Sequence, residues 1–122
     1  MIIIYLLVFV LNQVEFLDKI LVRFLDIGIS GATIIDSTGM GRTLTHNHDV
    51  PIFGGLGKMF ENCHPNNKTI FSVIKTEKAL QEATKVIEEE VGDINDLGVG
   101  ILFTIPLHSV VGLPKNNTKE NK

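Results

Sequence analysis

The chain has no tryptophan, one tyrosine (Tyr5) and one cysteine (Cys63) in 122 residues. A single thiol cannot close an internal disulfide, and small secreted domains ordinarily carry several, so the composition points to a reducing, cytoplasmic setting. Cations are also in deficit: 11 Lys and Arg stand against 14 Asp and Glu, a formal net charge of −3. That leaves no basic surplus to neutralise a phosphate backbone, and nucleic acid is not an expected partner. No apolar run reaches the roughly 20 residues that a membrane-spanning helix needs. The longest, Ile2 to Leu11, stops at Asn12-Gln13. It has no basic segment before it and no small-residue cleavage site after it, so it reads as a buried strand and neither a signal nor an anchor. Missing too is any acid/base pair or activated nucleophile that can be placed on regular elements, and no enzymatic activity is expected.

What is present fits one packed domain. A length of 122 residues with 44% hydrophobic and 20% charged residues supports one core and excludes a disordered chain. Residues 2–11, with no polar alternation, form a first strand. Asn12 is placed to cap a helix with Glu15 three residues on, and Val14, Leu17, Leu21, Phe24 and Leu25 recur at helical spacing up to Gly28. Ala32 to Thr38 is β-branched and bounded by glycines, a second strand. Thr69 to Thr76 gives a third. Thr76 then caps a helix that opens on Glu77 and buries Leu80, Ala83, Ile87 and Val91, with Glu88, Glu89 and Glu90 on a solvated face. Gly92 stops that helix, residues 93–98 turn, and Gly100 to Ile105 form a fourth strand ended or bent by Pro106.

This order is βαββαβ. The expectation is therefore an α+β, ferredoxin-like fold: a four-stranded antiparallel sheet with two helices on one face. The domain spans 1–113, and the polar segment 114–122 is a flexible tail. Phe9, Ile35, Phe71 and Phe103 suggest apolar residues on both sheet faces, which an oligomer burying the bare face would explain. Between strands two and three, residues 39–67 show no periodicity and read as a long loop. Structureless connections beyond about 12–15 residues are usually functional or disordered.

Gly28-Ile29-Ser30-Gly31-Ala32-Thr33, followed by Gly39-Met40-Gly41-Arg42, resembles the motif pair Gly-Ile-Thr-Gly-x-Thr and Gly-Phe-Gly-Arg of the nitrogen-regulatory P-II signalling proteins. The element context agrees, since in that family the second motif opens a long T-loop between strands two and three. The resemblance implies a homotrimer with ligand clefts between subunits, an adenine nucleotide as effector, and a regulated protein target contacted by residues 43–67. The family positions match Thr33, Gly39, Met40, Gly41, Arg42 and Thr43 at the cleft, and Gly98-Val99-Gly100 resembles the family's Gly-Asp-Gly. Glycine allows backbone N–H groups to approach phosphates closely. This chain departs from the pattern at its cations: Ile101 stands where the family has a lysine, and no Arg-x-Arg follows the fourth strand. Thr43 replaces the loop-base glutamine that helps to hold magnesium and 2-oxoglutarate in the family. Lys58, Lys68 and Lys115 are the available substitutes. With Tyr5 its only tyrosine, the chain offers no loop residue for uridylylation.

A second constellation is His46, His48, Asp49, Cys63 and His64, whose donor types suit zinc or copper. Their spacing matches no standard zinc motif. They would carry function if the chain were instead a metal-binding ferredoxin-like trimer similar to the CutA proteins; no metal or other cofactor is otherwise implied. Gly54-Gly55-Leu56-Gly57-Lys58 lacks the spacing and the hydroxyl residue of a phosphate loop and reads as plain loop. An ACT-like amino-acid-binding module shares the element order but joins its second and third strands by a short connection.

Overall fold

The computed structural model describes residues 3–46, 66–96 and 98–113. Four strands, β1 (Ile4–Leu11), β2 (Thr33–Ser37), β3 (Asn67–Ile74) and β4 (Gly100–Leu107), form one sheet in the order β2-β3-β1-β4. Every neighbouring pair is antiparallel. Three helices accompany them among the described residues: α1 (Leu17–Asp26), α2 (Met40–His46) and α3 (Glu77–Val91). Strand β1 is the most apolar in the chain, and the topology places it between β3 and β4, where both of its backbone edges are satisfied.

Alternation along β1 sends Leu7, Phe9 and Leu11 to the helix-bearing face, where all three are fully buried. They meet Ile70 and Ile74 of β3, Ile20 and Phe24 of α1, and Leu80, Ala83, Val86 and Ile87 of α3 in one cluster. Helix α3 starts as its sequence demands: the Thr76 hydroxyl accepts from the Ala79 N–H at 3.0 Å, and Gly92, at φ +84°, follows the last turn.

None of the described elements packs on the other sheet face. Register places Val8 between Phe71 and Phe103, Val10 between Thr69 and Ile101, and Leu6 between Val73 and Ile105. Ile101 is 58% exposed, and Ile35, Phe103 and Ile105 remain about half exposed. The two faces are therefore both apolar, with Phe9 on the covered side and Ile35, Phe71 and Phe103 on the bare one.

Several sequence expectations are corrected. Asn12 does not cap a helix. Its side chain is engaged elsewhere, a 3-10 turn at Val14–Phe16 follows it, and α1 begins only at Leu17 without a side-chain cap. The segment expected to be loop from Gly39 instead begins with α2, and β3 starts at Asn67, ahead of Thr69. Pro106 does not end β4, which runs on to Leu107; an edge strand tolerates the missing N–H. Glu89 and Glu90 are not simply solvated. Both accept hydrogen bonds from Arg23 of α1, at 2.5 and 3.1 Å, and tie the two long helices together. The tail, residues 114–122, lies outside the described residues, as does most of the segment between α2 and β3.

Candidate functional site

Strand β2 ends and β3 begins at the same level of the sheet, with Ser37 opposite Asn67. The intervening chain leaves and returns through this neck. Four polar side chains meet there. The Ser37 hydroxyl donates to Asn67 Oδ1 and lies 2.7 Å from Thr69 Oγ1. Asn67 Nδ2 donates to Asn12 Oδ1 at 3.3 Å, and the Asn12 N–H donates to the Val99 carbonyl at 3.2 Å. Asn67 is buried, as a carboxamide must be to fill both its donor and acceptor roles with protein partners.

The residues singled out in the sequence fall into two groups. Gly39 and Thr43 lie at this neck, while the Gly98–Gly100 turn lies at the same end of the sheet beside β1 and reaches the neck through Asn12 and Asn67. A Cβ on Gly39 would stand 3.6 Å from Asn67 Nδ2, and both the N–H and the hydroxyl of Thr43 donate to the Gly39 carbonyl, at 3.1 and 3.0 Å. Val99 is buried and linked to Asn12. Met40 is strongly exposed, Gly41 is half-buried, and Arg42 lies on α2 by its backbone. Thr33 is elsewhere. It opens β2 opposite Phe71, six residues before Gly39 along an extended strand, about 20 Å away. Within one chain it lines a different cleft of about 700 Å³, walled by Gly28 to Ala32, by Lys75 and Thr76 ahead of α3, and by Leu113. The buried Ser72 hydroxyl donates to the Gly31 carbonyl at 2.6 Å and pins that wall to β3.

Gly98 takes φ +86°, the left-handed region, at the turn. Gly100 has a purely structural reason to be glycine: at φ +151° an added Cβ would lie 2.2 Å from the Val10 carbonyl oxygen. Close approach here serves strand pairing before it serves any ligand.

Electrostatics separate this site from a triphosphate cradle. Ile101 presents an exposed apolar side chain directly after the glycine turn. Lys68 is committed to Asp36 across the β2–β3 edge, and Lys58 and Lys115 lie outside the described residues. The Tyr5 hydroxyl donates to Glu77 at 3.0 Å on the helix side of β1, far from the neck, and the carboxylate, with a smaller contribution from burial, raises its pKa. Of the metal-donor constellation, His46 ends α2, while His48, Asp49, Cys63 and His64 fall outside the described residues. Among the described residues no group of three His, Cys, Asp or Glu converges.

Sequence reasoning missed Asn12 and Asn67 as parts of the site. An Asn beside a polar stretch looks like a turn residue, and these two are 55 positions apart. The one available signal was that each borders a strand end adjoining a glycine motif.

The sheet order and the helix placement define the class: a ferredoxin-like α+β domain with a long insertion between its second and third strands. Within that class the chain adopts the fold of the PII proteins. Arabidopsis thaliana PII bound to citrate superimposes with a TM-score of 0.58 at 18% identity, covering 86% of this chain and 78% of that one. The Bacillus subtilis GlnK-ATP complex gives 0.56 at 14% identity, covering 86% and 82%. A functionally unknown protein from Pediococcus pentosaceus gives 0.59 at 14% identity, covering 91% and 98%. No family model and no curated protein matches the sequence.

Proposed function

We propose that the chain is a P-II-like signalling protein that binds a small effector at the β2–β3 neck and passes its occupancy to a protein target through residues 43–67. The observation that carries this reading is that the Gly39–Thr43 motif and the Gly98–Gly100 turn lie at one end of the sheet, joined through Asn12 and Asn67 at the neck through which that segment leaves it. Likeness of fold to a PII and to a GlnK supports it.

Separation of Thr33 from Gly39 within one chain supports a cleft completed by a second copy. The bare sheet face supplies a surface for assembly, and burying one exposed Ile or Phe there contributes about 1.5–3 kcal/mol. A cytoplasmic homotrimer that binds and does not catalyse is the assembly we favour. No described helix is long and apolar enough to cross a membrane.

The effector is an adenine nucleotide or a less anionic relative of one. Each missing charge-assisted contact is worth roughly 1.5–3 kcal/mol, so the family's preference for a triphosphate is lost with them. Calorimetric titration with ATP, ADP, AMP and cyclic nucleotides, with molar mass fixed by light scattering, tests the proposal. We expect a trimer with one site per subunit, and ATP and AMP affinities within about tenfold of each other, a gap of about 1.4 kcal/mol. A monomer, or a trimer that binds none of these, would overturn the nucleotide reading.

A further inference from the structure

Asn67 belongs to neither glycine motif, yet its carboxamide sits where both converge. It is 8% exposed, the first residue of β3, and the first described strand position after the long insertion. Its oxygen accepts from Ser37, the last residue of β2, and its nitrogen donates to Asn12, the first residue past β1. Gly39 packs beside the same nitrogen. Asn12 in turn holds the Val99 carbonyl in the middle of the second glycine motif. A described hydrogen-bonded route thus runs from the Val99 carbonyl through Asn12 and Asn67 to Ser37 at the end of β2, with Gly39 in contact along the way.

A carboxamide is well suited to such a post. It is planar and rigid, its donor and acceptor point in fixed directions, and in a buried place neither can be left unpaired cheaply. If the glycine turn shifts and carries Asn12 with it, Asn67 either follows or loses its partner, and Ser37 and Gly39 feel the same displacement. Networks of this kind transmit small movements because the arrangements that satisfy every member are few.

We infer that Asn67 is a positioning residue that couples the Gly98–Gly100 turn to the Gly39–Thr43 start of α2, so that a change at one is felt at the other. This rests on the regulatory reading for its biological use, but the coupling is a property of the ligand-free chain and is measured there.

The test is amide hydrogen exchange followed by NMR on the full chain, comparing the wild type with Asn12→Ala, Asn67→Ala and the double variant. The reporter is the Thr43 amide, which donates to Gly39 and touches neither asparagine. The Ile87 amide, inside α3, serves as the control for global opening. We expect Asn12→Ala alone to speed Thr43 exchange by about threefold or more at unchanged Ile87 protection, and the double variant to exchange no faster than Asn67→Ala. Unchanged Thr43 exchange in Asn12→Ala, or effects that simply multiply in the double variant, would overturn the inference. Should Asn67→Ala fail to fold, Asn12→Ala decides alone, since its side chain is only half-buried. Failure of the nucleotide titration would sink the effector assignment and leave this exchange result standing.

Discussion

At Gly100 the backbone passes so close to β1 that hydrogen is the only substituent the space admits. Gly100→Ala combines a steric clash against a main-chain carbonyl with a backbone angle that L-residues avoid, and should destabilise the protein by about 2–4 kcal/mol in urea unfolding. A stability loss under about 0.5 kcal/mol would mean that β4 can shift along or away from β1. The same substitution is a poor probe of ligand binding, because lost affinity could be traced to a displaced strand. Asn12→Ala leaves the backbone bond from Asn12 to Val99 in place and removes only the side-chain link to Asn67, so it tests the connection without displacing β4.

Helices α1 and α3 are held by packing and by Arg23, whose guanidinium reaches Glu89 and Glu90 of the partner helix. Hydrogen bonding to Arg23 lowers the Glu89 pKa below its ordinary value, outweighing the opposing effect of burial, and Glu89 raises that of Arg23 in return. A depressed carboxylate pKa stabilises the fold fully above the value in the unfolded chain, and that contribution fades as pH falls through the folded-state value. Arg23→Met should therefore lower the melting temperature near pH 7, while the gap from wild type narrows as acidification protonates Glu89. Added salt should narrow it too, because the pair is half-exposed. A gap independent of pH would assign the Arg23 contribution to its aliphatic stem alone.

How far these elements could be read beforehand follows from the range of the forces that make them. In α3 the cap, the buried stripe and the terminal glycine all lie within the helix itself, and each was legible. The start of α1 was not, because Asn12 spends its side chain on Asn67 rather than on a helix terminus. Nor was α2 visible: Gly39 and Gly41 carry the signature of a loop, and each glycine costs a helix about 1 kcal/mol relative to alanine. The Arg23 clamp joins residues 66 and 67 positions apart, beyond any local pattern. At the candidate site the glycine motifs announced themselves, whereas the asparagines that join them did not.

Among the described residues one apolar sheet face is without a cover, centred on Val8, Phe71 and Phe103. If the proposed trimer buries this face, Phe103→Asp should leave the helix side of the sheet intact and give folded monomers, seen as a threefold fall in light-scattering mass with unchanged far-ultraviolet dichroism. A variant that keeps its mass would place the contact on another surface.

Because Ser37 and Asn67 clasp each other across the neck, the chain between them leaves and re-enters the sheet at one level. Closing a longer flexible loop costs only about 0.6 kcal/mol for each doubling of its length. The scaffold should thus accept changes in the length of that segment at small cost. Natural drift could rewrite it to suit a new target while the rest of the domain stays unchanged, and a foreign recognition peptide spliced there would inherit a ready-made stem.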